Sequence, residues 1–176
     1  MVNDRLAVCP TPLALMAAPP ASLTRIVELF AGAPRELRLQ ALLDYARGLP
    51  PLPDRLAANH DAMEQVPECQ TPFFLTTELD GAGRVQLFFD VPAEAPTTRG
   101  FAGILTTGLS GATPAEVLAT PDDFYARMGL AEVISSLRLR GMAAILARLK
   151  RQVAALADGA GTGGAAGGSG AREDAP

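Results

Sequence analysis

Apolar residues recur along this chain with two different periods, and the switches between them divide it into elements. After Ser22, a residue type that caps helix starts, Leu23, Ile26, Val27 and Phe30 share one face of a 3.6-residue period and predict a first helix. Pro34 marks the start of a second, in which Leu39, Leu42, Leu43 and Ala46 carry the apolar stripe until Gly48 and Pro50 stop it. Two short helices joined so closely are expected to pair as a hairpin. Residues 49–67 are Pro-rich and polar with no sustained period, which reads as a long connection through Asn59, His60 and Asp61. Connections of that length tend to be functional.

Beyond Cys69 the period falls to two. Phe73, Leu75, Thr77 and Leu79 alternate with Phe74, Thr76 and Glu78, and Val85, Leu87, Phe89 and Val91 alternate with Arg84, Gln86 and Asp90 after the turn residues Asp80-Gly81-Ala82-Gly83. This predicts an antiparallel hairpin, with Ala62 to Val66 available as a third strand. Phe101, Ile104, Leu105 and Leu109 then predict a helix against the sheet, its glycines at 100, 103 and 108 permitting close packing. Thr113-Pro114-Ala115-Glu116 and Thr120-Pro121-Asp122-Asp123 each place a hydroxyl before proline and an acid three residues on, two start signals for short helices. In the last helix Met142, Ile145, Leu146, Leu149, Val153 and Leu156 hold one face, leaving Arg148, Lys150 and Arg151 solvated. A small antiparallel sheet covered by helices, with more helix than strand, is an α+β arrangement.

Composition sets the ends and narrows the chemistry. Residues 1–21 form an apolar but Pro-interrupted leader, residues 158–176 a Gly/Ala-rich tail without large apolar groups, and neither can offset its ordering entropy, so both are expected to be disordered around a domain at 22–157. With 176 residues, a net charge of −4 and a pI near 5.0, the chain carries no electrostatic footprint for nucleic acid or an anionic membrane. No apolar run approaches the roughly 18 residues of a membrane span. Two distant cysteines, Cys9 and Cys69, argue against a disulfide framework and for a reducing cytoplasm.

Reactive groups are few: those two cysteines, one histidine and scattered carboxylates. A four-ligand zinc site lacks ligands, a Cys-His protease lacks a distant histidine because His60 lies just before Cys69, and no Gly-rich phosphate loop follows a strand, so no metal or cofactor is expected. Cys9 and His60 read as incidental. Cys69 remains, in Val66-Pro67-Glu68-Cys69-Gln70-Thr71-Pro72. A free cysteine often packs as a small buried hydrophobe, but polar neighbours and two prolines favour a presented loop.

Gln65-Val66-Pro67-Glu68-Cys69-Gln70-Thr71 followed by an apolar strand resembles the Cys-Gln motif of the SufE family. A helical pair ending Leu49-Pro50, the Cys loop, a hairpin, Arg99-Gly100-Phe101 opening a helix and Leu137-Arg138-Leu139-Arg140-Gly141-Met142 opening the last follow in the family's order, from Leu23 to Leu156. Glu68 stands where glycine is frequent, and Val133 where some members carry histidine, so no histidine has a role there. The resemblance implies a SufE/IscU-like fold and a sulfur acceptor. Cys69 would take sulfane sulfur as a persulfide from a pyridoxal-phosphate cysteine desulfurase (SufS-like), stimulate that enzyme and pass the sulfur to an Fe–S assembly scaffold (SufBCD-like). It also implies no cofactor of its own, charge support from Arg138, and partner binding by Gln65, Glu68, Gln70 and Arg99. Such a protein is a sulfur-transfer accessory rather than a stand-alone enzyme. A thiol-redox protein cycling Cys69 and a non-catalytic adaptor are the other readings. A U-type cluster scaffold needs more thiolates than one usable cysteine provides.

Overall fold

Helix α1 (Ala21–Gly32) follows its predicted stripe, with Leu23, Ile26, Val27 and Phe30 buried, whereas α2 (Arg35–Arg47) follows its stripe only in part: Leu42 and Ala46 are buried, but Leu39 is exposed and Leu43 half-buried, because both face an open cleft. This computed structural model describes residues 17–162; the leader to residue 16, including Cys9, and the tail from 163 lie outside the described residues. Ser22 is not the cap of α1. Pro20 occupies that position without a side-chain cap bond, and the Ser22 hydroxyl donates instead to the Gly108 carbonyl at 2.7 Å, tying α1 to the later helix α4. The two helices also do not form a self-contained hairpin. Each lies mainly on α4 (Pro96–Leu109), and the reason is steric. Gly100 and Gly103 bring α4 so close to α2 that a Cβ at either position would strike the carbonyl oxygen of Leu42 or Tyr45.

The expected long connection contains a short helix, α3 (Asp54–Ala57), entered from Pro53 and anchored by buried Leu56, and then a 3-10 turn at His60–Ala62. Strands β1 (Glu64–Gln65), β2 (Phe74–Leu79) and β3 (Val85–Asp90) form an antiparallel sheet in the order β1-β2-β3. In β2 and β3, Leu75, Thr77, Val85, Leu87 and Phe89 point inward, as their alternation requires. The sheet packs on α4 and on the last helix, α7 (Ser136–Thr162).

Thr113 caps α5 (Pro114–Leu118) through a full capping box with Glu116, as predicted. The second start signal fails. Thr120 turns its hydroxyl back to the Glu116 carbonyl, and α6 (Phe124–Arg127) begins only after Asp123, with no side-chain cap. A 3-10 turn at Leu130–Glu132 leads to α7, whose buried face is Met142, Ile145, Leu146, Leu149 and Val153. That helix continues to Thr162, into the Gly/Ala-rich segment. The one-layer sheet covered by helices is the α+β architecture expected from the sequence, and it sets the tip of the β1–β2 connection against the start of α7.

Candidate functional site

Cys69 lies at that tip. The Val66 N–H donates to the Phe73 carbonyl at 2.9 Å, continuing the β1–β2 ladder by one bond and closing a loop over residues 67–72. Within the loop the Cys69 N–H donates to the Val66 carbonyl at 3.1 Å, a tight turn that Pro67 prepares by fixing its own φ. The turn directs the sulfur toward α7 at Gly141. A Cβ built on Gly141 would lie 3.4 Å from Cys69 Sγ and 3.7 Å from the Glu68 carbonyl oxygen, so any side chain there would occupy the space beside the sulfur.

The half-buried thiol opens on a cleft of about 390 Å³. Leu39 and Leu43 of α2, Pro96 to Thr98 at the start of α4, and Ile134, Leu137, Arg138 and Met142 around the start of α7 form its walls, and Glu68, Gln70, Thr71 and Glu94 complete them. Leu39 and Leu137 are two of the five large apolar side chains left exposed among the described residues. The site thus joins a sheltered sulfur to an apolar surface.

Electrostatics hold the thiol quiet. Burial pushes the Cys69 thiol up to about 11, the Glu68 carboxylate adds to the rise, and the nearby Arg148 cation opposes it. Arg148 is the charged neighbour of the thiol that sequence reasoning missed. Its Nη1 lies 2.8 Å from Glu68 Oε2, and its Nε lies 3.2 Å from Glu64 Oε1. The hydrogen bond from Arg148 holds the Glu68 carboxyl below its ordinary range. Burial alone would raise Glu64, but hydrogen bonds from Gln152 and Arg151 and the charges of Arg151 and Arg148 hold it low as well.

Arg148 and Lys150 are therefore not solvated as expected; each is only 17% exposed. Lys150 reaches the Thr120 carbonyl and Asp122, while Arg151 stays exposed and pairs with Glu64. The structure brings Cys69, Glu68, Gln70 and Arg138 to one cleft. Arg138 is exposed there and its guanidinium makes no ion pair among the described residues, Glu132 being taken by Arg38. Gln65 is exposed on β1 outside the cleft walls. Arg99 sits partly buried, donating to the Ala46 and Val91 carbonyls at 3.1 and 2.8 Å. His60 does not line the thiol's cleft; its Nε2 lies 2.7 Å from Asp90 and its ring is edge-on to Phe74. Among the described residues no group of three or more His, Cys, Asp or Glu is placed to hold a metal ion, and no helix is long and apolar enough to cross a membrane.

Comparison with known proteins gives the family and the fold. The family profile of the SufE "Fe-S metabolism associated domain" matches residues 24–153. Uncharacterized SufE-like proteins from two strains of Mycobacterium tuberculosis are 52% identical over 134 residues, covering 76% of this chain and 92% of theirs. The solution structure of a hypothetical protein from Thermus thermophilus superposes with a TM-score of 0.71 at 46% identity, over 80% of this chain and 98% of that one. The chain belongs to the SufE family, and its domain is one of Fe–S metabolism.

Proposed function

We propose that the protein is a sulfur acceptor that takes sulfane sulfur from a pyridoxal-phosphate cysteine desulfurase as a persulfide on Cys69, stimulates that enzyme by clearing its sulfur, and passes the sulfur to an Fe–S assembly scaffold in the cytoplasm. The observation that carries this reading is a half-buried thiol at a loop tip, opening on a cleft far larger than one additional sulfur atom requires. Cys69 as thiolate attacks the terminal sulfur of the donor persulfide. A new S–S bond of about 2.05 Å forms at Cys69, the donor's S–S bond breaks, and its electron pair leaves on the donor cysteine, with no net oxidation or reduction.

With the thiol near 11, about one molecule in ten thousand is ionised at pH 7, so the free protein is quiet and activation belongs to the complex. Arg138, which lines the cleft and whose guanidinium makes no ion pair among the described residues, is the internal cation suited to the developing charge. Exposed Leu39 and Leu137 give the donor an apolar surface beside the sulfur, with exposed Glu68, Gln70 and Gln65 as further partner contacts, while Arg99, expected among them, is held by the Ala46 and Val91 carbonyls and serves the fold. A peroxide-responsive thiol would be accessible and readily ionised, so the burial of Cys69 supports the carrier role over the redox one. The test mixes the protein with desulfurase and cysteine and traps persulfide by alkylation. Cys69→Ser should carry none and give no stimulation, while Cys9→Ser should carry as much as the parent. Persulfide on the Cys69→Ser protein would end the proposal.

A further inference from the structure

Arg148 stands two turns beyond Gly141 on α7 and so on the same helix face. Its guanidinium takes Glu68 with both terminal nitrogens, Nη1 to Oε2 at 2.8 Å and Nη2 to Oε1 at 3.0 Å, while Nε faces Glu64 at 3.2 Å. One side chain therefore spans β1 and the residue next to Cys69. Glu64 has Arg151 and Gln152 as well, but among the described residues Arg148 is the one cation on Glu68. A planar fork holding a carboxylate at two points fixes direction as well as distance.

Resting on the reading of Cys69 as the carrier thiol, we propose that Arg148 is a positioning residue whose two-point grip on Glu68 clasps the Cys69 loop to α7 and keeps the sulfur in its cleft. No strand bond crosses the interior of the loop, which leaves side chains to hold the tip against the helix. The clasp acts on the sulfur in a sense opposite to its own charge. As a bare cation Arg148 favours the thiolate; as a clasp it maintains the burial that disfavours it, and burial is the larger influence. The remaining charged groups on the cleft, Glu94 and Arg138, stay in place when Arg148 changes.

The two roles predict opposite signs in one measurement. Iodoacetamide alkylation of the Cys9→Ser protein, without desulfurase, is followed from neutral to alkaline pH, alone and with Arg148→Ala or Arg148→Lys. Loss of the clasp should raise the alkylation rate at neutral pH about tenfold, the scale of a partly shielded two-point pair, and move the profile toward lower pH. Lysine keeps the charge without the fork, so Arg148→Lys should fall between parent and alanine variant. Slower alkylation with a profile moved to higher pH would mean that Arg148 acts only through charge; an unchanged profile would mean an idle ion pair. Either result overturns the proposal. Should Arg148→Ala not fold, Arg148→Lys decides alone: faster than the parent supports the clasp, equal or slower refutes it. Because no donor enzyme is present, this failure is separate from failure of the carrier reading, which only persulfide trapping addresses.

Discussion

The pH dependence of Cys69 reactivity in the free protein offers the most direct check of the site. In the Cys9→Ser protein Cys69 is the only thiol. An ordinary cysteine with a pKa near 8.5 is about 3% ionised at pH 7, whereas a thiol pushed up to about 11 is ionised roughly 300-fold less. Alkylation at neutral pH should therefore run at least two orders of magnitude below that of a small-molecule thiol, on the thiolate fraction alone. The rate should keep climbing past the pH at which a free thiol has levelled off. The same shift has a thermodynamic face. A thiol whose folded-state pKa exceeds its unfolded one contributes stability that is fully present below about 8.5 and is lost as pH rises toward 11, so the closed loop should weaken over that window. Stopped-flow alkylation, read by mass spectrometry and paired with circular dichroism at each pH, makes the measurement. A profile levelling off near 8.5 at the rate of a free thiol, in protein shown to be folded, would refute the burial of Cys69 and the reasoning built on it.

Three further outcomes follow from the packing. Gly141→Ala should retain the fold, since the added methyl reaches Cys69 Sγ at contact distance, and the gain in helix propensity of about 1 kcal/mol should raise the melting temperature by about 2–4 °C. Its yield of trapped persulfide on Cys69 should fall, because the methyl occupies space beside the sulfur. Gly103→Ala, by contrast, drives a methyl into the Tyr45 carbonyl oxygen of α2 and should cost roughly 1–3 kcal/mol in urea unfolding. Thr113→Ala removes the hydroxyl of the α5 capping box and should cost about 1 kcal/mol in the same assay, with Cys69 alkylation unchanged.

Periodicity carried most of the fold, because the two periods report directly on backbone geometry. The alternation from Phe73 to Val91 placed β2, its turn and β3, and the stripes from Leu23 and Met142 placed α1 and α7 with the buried faces expected. What failed was local capping chemistry read in isolation. Ser22 and Thr120 have the composition of caps, yet each hydroxyl has a carbonyl elsewhere to satisfy, Gly108 in one case and Glu116 in the other. The capping box at Thr113 succeeded because Glu116 completes the reciprocal bond, so two residues had to agree. The expected pairing of α1 with α2 failed for a related reason: the chain joins them, but the glycines that admit close approach lie on α4. Sequence neighbours lost to surface shape.

The same distinction explains why the placement of Cys69 on a presented loop could be read from the sequence and the contact of Arg148 with that loop could not. A loop cysteine between prolines, in a chain poor in other reactive groups, stands out by elimination. An arginine in a row of helical cations stands out only when something indicates which face of α7 meets the loop. The sequence did hold that indication in Gly141: a glycine early in a helix otherwise rich in strong formers costs about 1 kcal/mol and implies a close neighbour. Once that neighbour is the Cys69 sulfur, the residue seven positions on faces the same way, and the carboxylates flanking the cysteine identify its partners. Glu68 completes the match, since a residue without its carboxylate would leave Arg148 without its two-point hold on the loop. The carboxylate beside the cysteine and a cation 80 residues away are thus one feature seen from its two ends.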